Sequence, residues 1–256
     1  MSTALGVDRD AFAIDAFACP KAGNTLEEYE DAWSARPVAG SGGHRIAIAD
    51  GATESSFSRL WAALLVECWT RGDATGPGFF ERLGAARRLW RLRVAGRPLP
   101  WYAAEKARHG AFAAFLGVEV DGAARGWRAV AVGDCCLFQL DAARPQMRVV
   151  QAFPLTRSQE FGSSPYLVGS DPSGTAALGA HIRVSQGQLR DEDMLVIASD
   201  TLAAWLLWRQ EEGRPVWKWL GMELRGQAWF ARLVDIARRD RLRNDDMTLL
   251  RVIFHD

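Results

Sequence analysis

The chain has 256 residues, and 48% of them are hydrophobic, which is enough for the core of one large domain over residues 1–256. Its 31 basic and 31 acidic residues cancel, so net charge gives no reason to expect nucleic-acid or membrane binding. No apolar run reaches the ~18 residues of a membrane span, and the start of the chain lacks a signal-peptide pattern. Its four cysteines show no zinc-site spacing. We therefore expect a cytoplasmic protein.

The first part of the chain predicts two strands and three helices. An apolar run over residues 10–20 predicts the first strand, and "RIAIAD", residues 45–50, predicts the second. The stretch between them, 21–43, is rich in glycine and polar residues at both ends and predicts a loop. Apolar residues at helical spacing then predict helices over 54–70, 76–98 and 102–109.

From residue 110 the pattern changes to short apolar or alternating runs separated by turn residues, which predicts an antiparallel meander. Helices return over 201–213 and 226–240, and residues 247–254 predict a closing strand. Many strands accompanied by helix pairs predict an α+β sandwich, in which helices cover antiparallel sheets. The runs of the meander are 110–120, 125–134, 135–141, 147–153, 181–189 and 193–200.

Carboxylates recur where the predicted strands meet loops. Asp50 ends a strand, Asp134 lies between two strands, and Asp200 ends a strand ahead of a helix. A single Asp-Gly pair is a common turn, and on that interpretation Thr53 caps the following helix. A charge at a buried strand end is costly without a compensating cation, so the recurrence indicates a shared cation. The other acidic residues so placed are Glu30 and Asp31 before the second strand, and Asp245 and Asp246 before the last.

The residue types indicate which cation is expected. The candidate ligands are carboxylates and the carbonyl of Gly51, with no convergent histidine or cysteine. All-oxygen ligation suits Mg²⁺ or Mn²⁺ rather than zinc or copper. Two such ions ~3.5–4 Å apart share a carboxylate and hold a hydroxide for in-line attack on phosphorus. The pattern therefore predicts a two-metal phosphoryl hydrolase.

The order of these motifs resembles that of the metal-dependent protein phosphatases (PPM, the type-2C serine/threonine phosphatases) over nearly the whole chain. That family has a Glu-Asp pair, then strand-Asp-Gly, Gly-Asp, Ser-Asp opening a helix, and Asp-Asn-x-Thr before the last strand. The resemblance is to the shorter, divergent bacterial branch. It implies a four-layer α-β-β-α sandwich with two central antiparallel sheets flanked by helices. The matching segments are "ED" at 30–31, "ADGAT" at 49–53, "VGDCC" at 132–136, "IASDTLAAW" at 197–205 and "NDDMT" at 244–248.

The resemblance also implies a role for each acidic residue. Asp50 would bridge two Mg²⁺ or Mn²⁺ ions, with the carbonyl of Gly51 on the second ion. Asp31 would hold metal-bound water, and Asp134 would help to bind a third, weaker ion. A hydroxide bridging two ions would hydrolyse phosphoserine or phosphothreonine without a covalent intermediate. The implied metal set is Glu30, Asp31, Asp50, Gly51, Asp134, Asp200 and Asp245, and its catalytic members are Asp31, Asp50, Asp200 and Asp245.

Several positions depart from the family pattern. The histidine that follows Asp-Gly in eukaryotic members, thought to protonate the leaving group, is Ala52 here, and the phosphate-binding arginine is Leu26. The glycine after Ser-Asp is Thr201, and the asparagine after the last aspartate is Asp246. These departures leave the implied metal set intact. The candidate replacements for the phosphate-binding arginine are Lys21, Arg59 and Arg157, and the sequence does not choose among them.

A second function stays open because of these departures, namely a pseudophosphatase that docks a phosphoprotein or kinase without turnover. For the active enzyme, the expected partners are a phosphoserine or phosphothreonine protein and a cognate serine/threonine kinase, and the expected state is a monomer. Two stretches are candidate docking surfaces, namely the arginines of 82–97 and the tryptophans of 205–229. Their simpler interpretations are a solvated helix face and core packing.

Overall fold

The fold is taken from a computed structural model, which describes residues 12–39, 42–72, 75–95, 97–98, 101–141, 143, 147–162, 164–190, 192–240 and 242–254. Its strands form two sheets in which every neighbouring pair is antiparallel. The first sheet has five strands, in the order β1 (Phe12–Cys19), β11 (Met247–Phe254), β10 (Met194–Ala198), β6 (Cys136–Asp141) and β7 (Arg148–Phe153). The second sheet has the order β2 (Ala32–Val38), β3 (Gly43–Gly51), β4 (Phe112–Asp121), β5 (Gly126–Val132) and β9 (Arg183–Gln188), with the short β8 (Val168–Gly169) beside β4.

Helices precede and follow these strands in the chain. The helices are α1 (Ser58–Arg71), α2 (Gly78–Glu81), α3 (Gly84–Val94), α4 (Trp101–Arg108), α5 (Thr175–His181), α6 (Asp200–Glu211), α7 (Val216–Lys218) and α8 (Gln227–Arg239). Among the described residues, no helix combines the length and apolarity that crossing a membrane requires.

Three layers of apolar side chains hold the structure together. The inner layer joins the two sheets, since Ile46 and Ile48 of β3 share one buried cluster with Leu195 of β10 and Leu250 of β11. A second cluster packs α6, α7 and α8 against the first sheet. A third packs α1 and α3 against the second sheet. The four-layer α-β-β-α sandwich implied by the resemblance is therefore confirmed.

Strand β3 shows why "IAIA" lies at the centre of the second sheet. Side chains of successive strand residues point to opposite faces, so Ile46 and Ile48 enter the inner layer while Ala47 and Ala49 face α1. On the neighbouring strand β4, an added Cβ at Gly117 would lie 2.6 Å from the ring of Trp69 in α1. A glycine is therefore required there, because it lets the large indole of the helix lie directly on the sheet.

The loop predicted over 21–43 is wrong in part, because it contains strand β2. This strand lies at the edge of the second sheet and pairs with β3 in register from Ala32 opposite Ala49 to Val38 opposite Gly43. Its sequence, "AWSARPV", carries Pro37 and lacks a clear alternation of apolar residues. An edge strand tolerates proline, so the partner strand rather than the side-chain pattern specifies this element.

Two helix predictions also need correction. The helix predicted over 54–70 begins only at Ser58, because Phe57 before it has a left-handed φ of 63°. Thr53 does not cap this helix, since its hydroxyl accepts a hydrogen bond from Lys21. The helix predicted over 76–98 is two helices, α2 and α3, interrupted at Arg82 and Leu83.

The strands predicted over 110–200 exist but do not form one meander. The β4–β5 hairpin belongs to the second sheet and the β6–β7 hairpin to the first, while β9 returns to the second sheet and β10 to the first. The chain therefore passes repeatedly between the two sheets. Of the first predicted strand, residues 10 and 11 lie outside the described residues.

Candidate active site

Strand register brings the acidic residues of each sheet together. In the second sheet Ala49 pairs with Ala32, so Asp50 near the end of β3 lies across from Asp31, which immediately precedes β2. In the first sheet Ala198 pairs with both Cys136 and Leu249. The segments that carry Asp134, Asp200 and Asp245 therefore lie at one end of the first sheet.

The charges of these carboxyl groups act on one another across the two sheets. Burial raises the pKa of Asp50 well above its usual value, and the neighbouring charges of Asp31, Asp200 and Asp245 raise it further. Burial is also the main cause that raises the pKa of Asp31 to about 7, against a lowering hydrogen bond from Thr248. Four of the predicted residues, from four separate segments, therefore meet in one site.

Asp134 and Asp200 belong to the same group. Burial raises the pKa of Asp134 to about 7, and the charge of Asp200 is the next cause. Burial and then the charge of Asp245 raise the pKa of Asp200 itself. Asp134 is 5% exposed, so its ionised form needs a positive partner.

A buried hydrogen-bond chain orients Asp31. The Thr248 hydroxyl donates to Asp31 Oδ2 at 2.6 Å, and the Thr248 backbone N–H donates to the Ser199 hydroxyl at 3.0 Å. Because the single hydroxyl hydrogen of Thr248 is used, the Tyr29 hydroxyl must donate to Thr248 Oγ1. Asp31 Oδ1 is buried and has no hydrogen-bond partner among the described residues. Such an oxygen is suited to a cation.

Glu30 and Gly51 sit where β3, α1 and the loop before β2 come together. Glu30 Oε1 accepts a hydrogen bond from the Ser58 hydroxyl at 2.6 Å, and Oε2 accepts one from Lys21 Nζ at 2.9 Å. An added Cβ at Gly51 would lie 2.8 Å from the Glu30 carbonyl oxygen and 3.0 Å from Ser58. Glycine at 51 therefore allows this close approach, which brings the end of β3 against Glu30.

Asp245 and Asp246 have different surroundings although they are adjacent. Asp246 Oδ1 and Oδ2 accept the backbone N–H groups of Lys21 and Glu30, both at 2.8 Å. It therefore ties the loop before β2 to the loop before β11. Asp245 instead forms ion pairs with Lys21 at 3.2 Å and Arg243 at 3.3 Å.

Lys21 is the candidate cation that lies among the carboxylates. Burial lowers its pKa, but pairing with Glu30 and Asp245 outweighs this effect and raises the pKa above its usual value. Arg59, by contrast, donates to the backbone carbonyls of Leu26 and Glu27. Arg157 precedes a 3-10 turn, where Glu160 accepts its backbone N–H at 2.8 Å.

Sequence reasoning missed the roles of three residues in this site. Tyr29 and Ser58 lie in stretches without a distinctive pattern, and the position of Thr53 before an apolar helical pattern predicts only a helix cap. Their functions depend on partners far along the chain, such as Thr248 for Tyr29. Thr248 itself belongs to the "NDDMT" motif, so that motif was the one signal for the hydrogen-bond chain.

The two candidate docking surfaces have different outcomes. Trp205 and Trp217 are buried, and the tryptophans at 208, 219 and 229 pack against the same cluster, so this segment is core. In the arginine-rich stretch, Arg87 is buried and donates to the Gly169 carbonyl and the Thr175 hydroxyl. Exposed members of that stretch on α3 are Arg88, Arg91 and Arg93.

The acidic residues fit a divalent metal by their chemistry. They offer only oxygen ligands, they raise one another's pKa values, and one buried oxygen of Asp31 accepts no hydrogen bond from the residues that the structure describes. Mg²⁺ and Mn²⁺ prefer such ligands. Within the described residues, however, no three or more His, Cys, Asp or Glu side chains are grouped so that they could hold a metal ion as they stand. The donors are therefore suitable but do not form a closed metal cage.

Comparison with known proteins tests the fold. No protein-family model and no curated protein matches this chain. The S. agalactiae serine/threonine phosphatase structure matches with a TM-score of 0.59 and 11% identity, covering 95% of this chain and 100% of that one. The Mycobacterium tuberculosis serine/threonine phosphatase PstP/Ppp matches with a TM-score of 0.58 and 12% identity, covering 96% and 99%. This chain has the fold of the metal-dependent protein phosphatases.

A structure of RsbX in complex with magnesium also matches this chain, with a TM-score of 0.53 and 13% identity. The match covers 95% of this chain and 100% of that one. The resemblance seen in the sequence motifs is thus confirmed for the fold, over nearly the whole chain. With identities this low, the likeness concerns the phosphatase fold alone.

Proposed function

We propose that this chain is a metal-dependent phosphatase that hydrolyses phosphoserine or phosphothreonine in a protein substrate. The observation that carries the proposal is the meeting of Asp31, Asp50, Asp200 and Asp245 at one site, in a fold shared with serine/threonine phosphatases. Charge repulsion among buried carboxyl groups is relieved when a divalent cation binds them.

Each residue has a proposed part in holding the metal and the substrate. The charges of Asp31, Asp200 and Asp245 all act on Asp50, so we assign to Asp50 the role of contacting two ions. Bound Mg²⁺ or Mn²⁺ would neutralise the phosphate and activate water. Thr248 holds Asp31 through Oδ2, which leaves Oδ1 available. Asp134 is proposed to support a third, weaker ion together with Asp200.

The pseudophosphatase remains the second candidate, and two observations favour it. Ala52 supplies no proton donor after Asp-Gly, and its backbone N–H donates to the Phe112 carbonyl. Lys21 already occupies oxygen atoms of Glu30 and Asp245. In this case the chain would bind a phosphoprotein or its kinase without releasing phosphate.

Phosphate release distinguishes the two candidates. We expect the purified protein to hydrolyse p-nitrophenyl phosphate and a phosphothreonine peptide in the presence of Mn²⁺. Excess chelator should abolish this hydrolysis. Full activity in chelator would contradict the metal mechanism. Binding of the phosphopeptide without turnover at saturating Mn²⁺ would favour the pseudophosphatase. Asp235→Asn is the control for loss of an acidic residue outside the site and should keep the activity, because Asp235 lies on the exposed side of α8.

A further inference from the structure

Lys21 places a cation of the chain itself among the carboxylates. Its Nζ lies 2.9 Å from Glu30 Oε2, 3.2 Å from Asp245 Oδ1 and 2.5 Å from Thr53 Oγ1. An ammonium group has three N–H donors, so these three oxygens are enough to use all of them. The Lys21 side chain is only 13% exposed. The ammonium is therefore held by oxygen atoms from three separate segments of the chain.

The backbone around Lys21 is fastened to the loop that carries Asp245. The Lys21 N–H donates to Asp246 Oδ1 at 2.8 Å, and the Ala22 N–H donates to Asn244 Oδ1 at 2.7 Å. Asn244 Nδ2 returns a hydrogen bond to the Ala22 carbonyl at 3.1 Å. These contacts fix the start of the lysine side chain beside Asp245, while its flexible four-carbon stem lets the ammonium move.

Glu30 and Asp245 thus belong to two sets at once. Both are in the metal set that the family resemblance implies, and both now pair with the ammonium of Lys21. A carboxylate oxygen that accepts a hydrogen bond from an ammonium is a poorer ligand for a metal ion, because the two cations compete for the same lone pairs. A divalent ion that uses Asp245 Oδ1 must first displace Lys21.

We propose that Lys21 is a tethered counter-cation that competes with the divalent metal for Glu30 and Asp245 and thereby sets the metal affinity of the site. This inference rests on the metal-binding part of the proposed function. It makes Lys21 a positioning residue, because it acts through the two carboxylates. The metal-free site keeps its acidic residues in place, and metal loading depends on the free metal concentration.

The test is calorimetric titration of Mn²⁺ into the metal-free protein and its Lys21 variants, without substrate. Partners outside the ligand shell change metal affinity by about 10–100-fold, so we expect Lys21→Met to lower the Mn²⁺ dissociation constant about tenfold. The melting temperature of Lys21→Met without metal should fall, and its gain on adding Mn²⁺ should grow. Lys21→Arg keeps the charge and should bind Mn²⁺ about as weakly as the wild type.

Arg243→Met is the matched control, because Arg243 also pairs with Asp245 but its side chain is 69% exposed. Exposed ion pairs contribute little, so its Mn²⁺ affinity should stay near the wild-type value. If Lys21→Met does not fold without metal, Lys21→Gln replaces it, since a neutral amide can still donate hydrogen bonds to Glu30.

Three results would overturn the proposal: unchanged or weaker Mn²⁺ binding by the neutral Lys21 variants, equal tightening by Arg243→Met, or no Mn²⁺ binding by any of these proteins. A different result addresses the proposed function. If Mn²⁺ binds and the affinities follow the expected order, but no variant releases phosphate, the role of Lys21 is supported and the phosphatase activity is contradicted.

Discussion

At the scale of single residues, the site is a set of carboxyl groups that destabilise one another's ionised forms. Asp50 is at its centre, since the charges of Asp31, Asp200 and Asp245 all raise its pKa. Lys21 and Thr248 counter part of this strain through an ion pair with Asp245 and a hydrogen bond to Asp31. Repulsion among these carboxyl groups thus lowers the stability of the metal-free protein, and the same group of carboxylates is suited to bind a cation.

Replacing Asp50 by asparagine should distinguish a metal-binding Asp50 from an Asp50 that only forms a turn at the end of its strand. We expect phosphatase activity to fall by a factor on the order of 10² or more, because changes outside the ligand shell alone can cost about 10–100-fold. The melting temperature without metal should hold or rise, since one repelling charge is removed. The gain on adding Mn²⁺ should shrink. Normal turnover and a normal Mn²⁺ gain would make Asp50 a simple turn residue.

The pH dependence of the metal-free protein should report the buried Asp134. Its pKa is about 7 in the folded protein and about 3.9 in an unfolded chain. An Asp134 pKa that is raised in the folded state stabilises the folded protein at pH values below the pKa of the unfolded chain. That contribution to the free energy of unfolding is lost as the pH rises through about 7. The free energy of unfolding of the wild type, minus that of Asp134→Asn, should therefore fall between about pH 4 and pH 7. Denaturant titrations in chelator measure this, and a difference that rises with pH would contradict it.

At the scale of elements, α1 connects the second sheet to the site. Its Trp61 and Trp69 are buried over the sheet, and Ser58 at its start donates to Glu30 at 2.6 Å. The close packing depends on Gly117 of β4, which leaves room for the Trp69 ring. Glu30 therefore receives its orientation from a helix whose position the sheet determines.

Gly117→Ala should destabilise the fold, because the new Cβ would lie 2.6 Å from ring atoms of Trp69. Overpacking of this kind costs about 1–3 kcal/mol, which chemical denaturation would measure. Gly179→Ala on α5 is the matched control, since its Cβ would meet nothing within 4 Å. It should leave stability unchanged or raise it by up to about 1 kcal/mol. Equal effects of the two changes would contradict the packing argument.

At the scale of the whole molecule, the site belongs to both sheets. Asp50 lies in β3 of the second sheet and Asp31 immediately precedes β2 of that sheet, whereas Asp134 precedes β6 and Asp200 follows β10 of the first sheet. The inner apolar layer, with Ile48 and Leu250 among its members, holds the sheets together. A metal bound by residues of both sheets would therefore stabilise the sandwich as one unit.

Hydrogen exchange should reveal this coupling. A ligand at 100 times its dissociation constant stabilises the folded state by about 2.7 kcal/mol. With saturating Mn²⁺ we expect slower exchange in both β3 of the second sheet and β10 of the first. Asp50→Asn, measured under the same conditions, should lose most of the added protection in both strands. Protection gained in only one sheet would contradict a site shared between the two.

The sequence determined the elements whose signal is local. The run ending in Asp50 and the closing strand over 247–254 follow from apolar side chains at strand spacing. The helices after Asp200 and after Gly226 follow from apolar residues at helical spacing. The positions of the main acidic residues at strand ends, and their oxygen chemistry, were visible for the same reason. These signals depend only on residues that are neighbours in the chain. Antiparallel pairing then brings the ends of neighbouring strands together, and the acidic residues with them.

Only the tertiary structure decided which sheet each strand joins, and that β2 is a strand at all. It also decided that Lys21, rather than Arg59 or Arg157, lies among the carboxylates. Its backbone is held by Asp246, which is 225 positions away in the chain. Such a contact leaves no periodic or compositional trace in either segment. It exists because β1 and β11 pair antiparallel in the first sheet with Cys19 opposite Met247. That pairing brings the loop after β1 against the loop before β11.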